Sequence, residues 1–217
     1  MRRLERAPVP ELAEQFGGID VYLFDQLLRG RIAPGMTVLE AGSGSGRNLI
    51  YFMQAGYQVL AADESAEAIG DVRASAAALA PQLPADNFRV EPVEAMTFPA
   101  RVADVVISNA VLHFARDDEH FWAMLEGCWR PLRPGGLFFC RLASTVGLEH
   151  LVRRLDGRRF MLPDGSERFL VDEELLFEAM RRLGGELADP LKTTVVHHQR
   201  SMTTWVVRKR EAPRSGG

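Results

Sequence analysis

The chain has 217 residues, 47% of them hydrophobic, with a formal charge of −3 and a sequence pI of about 6.0. That length suits one compact domain with a sizeable core, and the charge balance offers no long-range attraction for nucleic acid or an anionic membrane surface. No stretch approaches the roughly 18 uninterrupted apolar residues of a spanning helix, and Cys128 and Cys140 lack metal-ligand spacing, which reads as apolar fillers in a reducing, cytoplasmic setting.

In chain order, residues 1 to about 15 are polar and proline-rich and are expected to fray, as are 211–217. Val21, Leu23, Phe24, Leu27 and Leu28 recur at helical spacing, so a helix is expected between Ile19 and Ile32, stopped by Pro34-Gly35. Met36 to Ala41 reads as a buried strand and Asn48 to Ala55 as a helix ended by Gly56. Tyr57 to Ala62 is a second strand, ending at Asp63, and Ser65 caps an alanine-rich helix that Pro81 closes. Phe88 to Val93 is a short third strand and Ala103 to Ser108 a stronger fourth. A helix follows from Asp117 to Arg130, its first turn acidic as the dipole prefers. Pro134-Gly135-Gly136 reads as a turn and Leu137 to Leu142 as a fifth strand. Near-continuous apolar strands alternating with helices argue for a parallel sheet covered on both faces.

The last third departs from this rhythm. Arg159 to Leu162 and Glu167 to Val171 flank Pro163-Asp164-Gly165-Ser166, which predicts a β-hairpin. Asp172 caps a helix to Leu183, with Gly184-Gly185 after it. Thr193 to His198 and Met202 to Arg208 read as two closing strands, antiparallel because so short a link cannot make a parallel crossover. As strand neighbours, His197 and His198 would face opposite sides and could not share a metal; no metal site is expected anywhere in the chain.

The most informative stretch runs from Val38 to Asn48. Two strand formers lead into Glu40, then glycines stand at 42, 44 and 46, then a helix opens. Such a backbone turns sharply at the carboxyl end of a strand and leaves room for a ligand to lie on the main chain. A dinucleotide fingerprint G-x-G-x-x-G would need glycine at 47 or 49, where Arg47 and Leu49 stand. That offset, with the antiparallel close, speaks against an oxidoreductase using a nicotinamide cofactor.

The order of motifs across roughly residues 35 to 145 resembles class I S-adenosylmethionine-dependent methyltransferases. Gly44-Ser45-Gly46-Arg47-Asn48, Gly56-Tyr57, Val111-Leu112-His113-Phe114 and Leu132-Arg133-Pro134-Gly135-Gly136 are similar to small bacterial members of the tellurite-resistance-like and ubiquinone-biosynthesis-like groups. The resemblance implies an α/β, Rossmann-like, seven-stranded, mostly parallel sheet with an antiparallel last strand and helices on both faces. It also implies a single domain over 1–217. Its parts are an N-terminal helical cap at 1–34, a cofactor-binding core at 35–145, an insertion or lid at 146–172 and closing elements at 173–210.

For the site, the resemblance implies that Gly42, Gly44 and Gly46 let the backbone approach the amino acid part of S-adenosylmethionine. Glu40 meets its ammonium end, Asp63 its ribose hydroxyls and Asn109 its methionine moiety. Ser43, Asn48 and Glu64 complete the set around the loop. Relatives often place an adenine-binding Asp after strand three; Pro92 stands there instead, which leaves adenine to Glu94 or to the Val93 backbone and apolar stacking. His113 is the candidate general base, against a competing role as a wall residue packed on the cofactor.

The expected acceptor is a small molecule, with no nucleic-acid or membrane partner and a monomeric or homodimeric protein. Nothing after strand four resembles the Asn-Pro-Pro-Tyr motif of nucleic-acid methylation; Ser108-Asn109-Ala110-Val111 stands there. Phe16, Tyr22, Phe114, Phe160 and Phe169 are candidates for an aromatic pocket wall, with Phe24 and Phe169 equally suited to the core. Arg153, Arg154, Arg158 and Arg159 form a basic cluster that suits either an anionic acceptor or a solvated helix face. A non-catalytic cofactor-binding module remains the competing reading.

Overall fold

The computed structural model describes residues 11–211; the expected fraying of 1–10 and 212–217 lies outside them, while Leu12–Phe16, also expected to fray, forms a short helix. The elements in order are α1 (Leu12–Phe16), α2 (Val21–Leu28), β1 (Thr37–Ala41), α3 (Ile50–Gln54), β2 (Gln58–Asp63), α4 (Ala66–Leu79), β3 (Phe88–Val90), β4 (Ala103–Asn109), α5 (Asp118–Trp129) and β5 (Leu132–Ala143). There follow β6 (Arg153–Asp156), β7 (Arg159–Met161), β8 (Glu167–Phe169), α6 (Glu173–Arg182), β9 (Gly185–Leu187), β10 (Lys192–Val196) and β11 (Arg200–Lys209).

The main sheet runs β10-β11-β5-β4-β1-β2-β3, with β9 added beside β11, so the seven expected strands are joined by an eighth. β1 pairs in parallel with β2 and β4, β2 with β3 and β4 with β5, while β11 is antiparallel to both β5 and β10. Successive residues of a strand point to opposite faces, and each face has its own core. Leu39, Val106, Phe138 and Trp205 pack on one side with α5 and α6 residues, and Val38, Val105, Phe139 and Val206 on the other with α2, α3 and α4 residues. That is why the strands read as continuous apolar runs.

The chain builds outward from β1 to β3 and then returns to lay β4 on β1's other side. At this reversal the connections leaving β1 and β4 diverge and open a crevice at the strands' carboxyl ends. The side-chain caps expected from sequence are present: Ser65 accepts from the Ala68 N–H and Asp172 from the Leu175 N–H. Asp117, expected only to complement the helix dipole, is a cap as well, accepting from the His120 N–H. α2 carries a further one, Asp20 accepting from the Tyr22 N–H. Lys192 on β10 holds α2 to the far edge of the sheet through Asp25 at 3.1 Å and pairs locally with Asp189 at 2.6 Å.

Four local expectations are corrected. Pro134-Gly135-Gly136 is not a turn before β5 but a bulge inside it: Leu132 pairs with Ala103 and Leu137 with Val105, leaving residues 133–136 opposite Asp104. The third strand stops at Val90, because Pro92 begins a 3-10 turn over Val93–Ala95. The insertion is a three-stranded sheet rather than a hairpin, since β6 adds to β7 through residues whose charge had suggested a helix face. His197 and His198 leave the strand altogether. Both have positive φ, 49° and 55°, and open the three-residue link between β10 and β11, where the Gln199 amide donates to the Val196 carbonyl at 2.9 Å.

α5 lies directly on the 3-10 turn after β3, and Gly127 permits it: a β-carbon there would come within 2.2 Å of the Val93 carbonyl oxygen. Gly127→Ala is therefore expected to destabilise the protein by about 1–3 kcal/mol, the usual cost of overpacking, read as a lowered urea midpoint. An unchanged midpoint would show that α5 can lift off without loss.

Candidate functional site

A cavity of about 530 Å³ opens at the reversal point. It is bounded by the loop after β1, the ends of β2 and β4, the 3-10 turn after β3 and the start of α5. Ten of the residues expected to bind cofactor line it: Glu40, Gly42, Ser43, Gly44, Asn48, Asp63, Glu64, Val93, Glu94 and Asn109. Gly46 and His113 do not.

The floor is the glycine loop. The Gly42 and Ser43 amides both donate to the Ala62 carbonyl, at 2.8 and 3.1 Å, tying the loop to the end of β2. Asp63 continues the tie, accepting from the Gly44 amide at 2.8 Å through one oxygen and from the Ser65 amide at 2.9 Å through the other. Each carboxylate oxygen keeps a further lone pair for a ligand hydroxyl. The glycines have separate tasks. A β-carbon at Gly42 would lie 2.5 Å from Val111 Cγ2, and one at Gly46 would lie 3.0 Å from Val72 Cγ2 on α4. At Gly44 it would meet nothing within 4 Å, so this position alone of the three is kept bare by the cavity rather than by packing.

The deep end is polar and under-satisfied. Glu40 is 1% exposed, and its Oε1 accepts from Asn48 Nδ2 at 2.6 Å while Oε2 has no partner among the described residues. Burial pushes its carboxyl up to about 8, the Asn48 hydrogen bond opposing the shift. Asn48 Oδ1 in turn accepts from the Asp20 amide at 2.9 Å, so the start of α2 backs this carboxyl. Asn109, also buried, has neither side-chain polar atom paired. Ala110 after it holds φ at +63°, a conformation costly for a residue with a β-carbon, its amide donating to the Arg141 carbonyl at 2.7 Å. Orphaned buried polar groups carry a desolvation cost that a ligand can relieve, and the acceptor oxygen of Glu40 suits a cation.

At the opposite end, Glu94 meets a residue the sequence reading missed. His120 Nε2 lies 3.1 Å from Glu94 Oε1, and its Nδ1 accepts from the Arg116 amide at 3.1 Å. Because Nδ1 is an acceptor, the neutral ring carries its proton on Nε2 and donates it to Glu94. The signal available in the sequence was the pair His120 and Met124, four apart on one helix face, both of which line the cavity.

His113 sits behind the wall. It is 7% exposed, and its Nδ1 accepts from the Ala143 amide at 3.2 Å. Burial, with Arg168 and Arg141 adding to it, pushes its pKa down to about 4, so the ring is neutral at physiological pH. Of the five expected wall aromatics only Phe114 lines the cavity. Phe16 stacks on Tyr51, Tyr22 lies beneath Arg141, Phe160 belongs to a small core under the insertion, and Phe169 stacks on Phe121 in the main core. Among the described residues no group of three or more His, Cys, Asp or Glu side chains is placed to hold a metal, and no helix is long and apolar enough to cross a membrane.

Residues 39–140 match the methyltransferase domain family, a span from the middle of β1 into β5 that holds the whole cavity except its α2 backing. The match places this span, just under half of the chain, with the S-adenosylmethionine-dependent methyltransferase superfamily. It is 31% identical over 116 residues to a tRNA 5-carboxymethoxyuridine methyltransferase of Escherichia coli K12, a match covering 52% of this chain. That match spans 42% of the relative, less than half its length. Among solved structures it is similar to an S-adenosylmethionine-dependent methyltransferase from Methanosarcina mazei, with TM-score 0.67 and 16% identity over 86% of this chain and 98% of that one. It is also similar to a 1,6-didemethyltoxoflavin-N1-methyltransferase from Burkholderia thailandensis, with TM-score 0.66 and 20% identity over 94% and 93%. At these identities the structural likeness speaks to the fold. S-adenosylmethionine is the cofactor of this superfamily, and the residues present fit it: an orphaned buried carboxyl oxygen for a cation, a bare glycine floor and a carboxylate at the end of β2.

Proposed function

We propose that the protein transfers a methyl group from S-adenosylmethionine to a small-molecule acceptor. The observation that carries the reading is the arrangement around one cavity of Gly44, Asp63, Glu40 and Asn109, each with a free side or an unpaired polar atom turned to it. Asp63 takes the ribose hydroxyls, Glu40 the ammonium group and Asn109 the methionine moiety. Ser43 and Glu64 border the loop end, Asn48 positions Glu40, and Val93 with Glu94 holds adenine, Glu94 being oriented by His120.

When bound, the cofactor supplies a methyl on a positively charged sulfur, so the leaving group is already activated. The chain's own work is to bind, align and exclude water, a proximity effect of up to about 7–11 kcal/mol in good cases. A base is needed only for an acceptor that arrives protonated. His113, outside the cavity with Nδ1 engaged by Ala143, is better suited to holding the loop after β4 onto β5 than to moving a proton.

Calorimetry with S-adenosylmethionine, S-adenosylhomocysteine and the two nicotinamide dinucleotides tests the cofactor. Micromolar binding of the first pair alone supports the reading, and dinucleotide binding overturns it. Asp63→Ala is expected to weaken S-adenosylhomocysteine at least about tenfold, the loss of one or more charge-assisted hydrogen bonds, with the far-ultraviolet circular dichroism unchanged. Retained affinity would remove the ribose assignment. The tRNA-directed relative makes RNA the second acceptor to assay, against which stands the net charge of −3. Cofactor binding with no turnover across small-molecule and RNA panels would favour the non-catalytic module.

A further inference from the structure

The three-stranded insertion brings β8 against the loop that follows β4, and a second cleft of about 200 Å³ lies between them. Phe114 and Arg116 line both this cleft and the main cavity, so the two spaces share a wall. Its remaining polar lining is His113, Arg159, Glu167 and Arg168.

Three guanidinium groups therefore face one carboxylate, and that carboxylate is already committed. Glu167 pairs with Arg159 at 2.5 Å, and the adjacent Arg158 pairs with Asp172 at 2.7 Å. Arg168 and Arg116 have no ion-pair partner among the described residues. Arg168 is not loose: its guanidinium lies 4.8 Å over the Phe114 ring, and Nη1 donates to the Glu167 carbonyl at 2.6 Å. Phe114 itself is 58% exposed, a large apolar side chain at the junction of two cavities. His113 at the back is held neutral and adds no charge.

We propose that this cleft is the anion subsite for the acceptor: a flat, largely apolar body rests against Phe114 at the mouth of the main cavity and presents a carboxylate or phosphate to Arg168 and Arg116. A planar guanidinium offers paired donors to such a group, and stacking on an aromatic ring presets its orientation. The basic cluster expected from sequence is thereby reassigned. Arg158 and Arg159 are neutralised, Arg153 and Arg154 do not line the cleft, Arg154 lying over Phe160, and the unpaired guanidiniums that do line it are two that the sequence reading did not single out. That the anion belongs to a methyl acceptor rests on the methyltransferase reading; the anion site itself does not.

The test is calorimetric titration of the protein, with and without saturating S-adenosylhomocysteine, with 4-hydroxybenzoate, phenyl phosphate and the neutral 4-hydroxybenzamide. Either anion is expected to bind at least about tenfold more tightly than the amide, the worth of one charge-assisted contact. Arg168→Gln should erase that preference while S-adenosylhomocysteine affinity is kept, and Arg168→Lys should restore part of it. Should Arg168→Gln fail to fold, Arg116→Gln, at an exposed position, carries the same comparison. Equal binding of anion and amide, no binding of either anion at millimolar concentration, or a preference that survives both glutamine variants overturns the proposal. Anion preference without S-adenosylhomocysteine binding would uphold the subsite and sink the methyltransferase reading, so the two fail separately. The tighter of the two anions identifies whether carboxylate or phosphate is the natural group.

Discussion

Gly44→Val is expected to abolish measurable S-adenosylhomocysteine binding while the protein stays folded. A β-carbon at this position meets no atom within 4 Å beyond its chain neighbours, and Gly44 lines the cavity, so the added side chain enters that space. The backbone holds φ at +51°, which costs a residue with a β-carbon roughly 1–2 kcal/mol, so the melting temperature should fall modestly. Gly42→Ala supplies the contrast. Its β-carbon would meet Val111 Cγ2 at 2.5 Å, a clash inside the fold, so the thermal midpoint should suffer with or without ligand. Thermal melts and calorimetry on the two variants separate the effects. A Gly44→Val protein with wild-type affinity would end the loop's assigned role.

Glu40→Gln should move stability and affinity in opposite directions. The unfolded carboxyl titrates near 4.5 and the folded one near 8. Between those values the folded state holds a proton that the unfolded state has released, so stability falls as pH rises through this window and levels above it. Glutamine mimics the protonated form and cannot ionise. The variant is therefore expected to melt above the wild type at pH 9, by an amount worth several kcal/mol if the full shift is expressed. Its affinity for S-adenosylhomocysteine should fall at least about tenfold, because an ammonium group would lose its buried counter-charge. Below pH 8 the wild type should release close to one proton on binding, seen as a dependence of the binding enthalpy on buffer ionisation, and the variant should release none. A variant that melts lower and binds normally would make Glu40 a structural residue.

The parts of the site that could be read from sequence are those built by consecutive residues. Strand, glycine turn and helix follow one another from Val38 to Ile50, and Asp63 ends the neighbouring strand, so a local pattern located the floor of the cavity. The distinction among the three glycines was out of reach. It depends on Val111 and Val72, far along the chain, occupying two of the β-carbon positions and nothing occupying the third. The same holds for His120, which reaches Glu94 across 26 positions only because Gly127 lets α5 settle on the Val93 backbone. Asn48 reads as a helix opener, yet its amide is held between Glu40 and the α2 cap from 28 positions away.

Local residue patterns suffice for the α/β alternation, the parallel core from β1 to β5, the antiparallel close and the place of the glycine loop and Asp63, because hydrophobic period, caps and turn residues act over a few positions. Long-range packing sets which side chains face the cavity, where His113 lies and which arginines are left without carboxylates. It likewise made strands of β6 and β9, whose residues carry little strand signal and pair because an edge was presented to them. Burial, charge pairing and edge pairing are set by neighbours brought together in space, and no local pattern of residues encodes who those neighbours are.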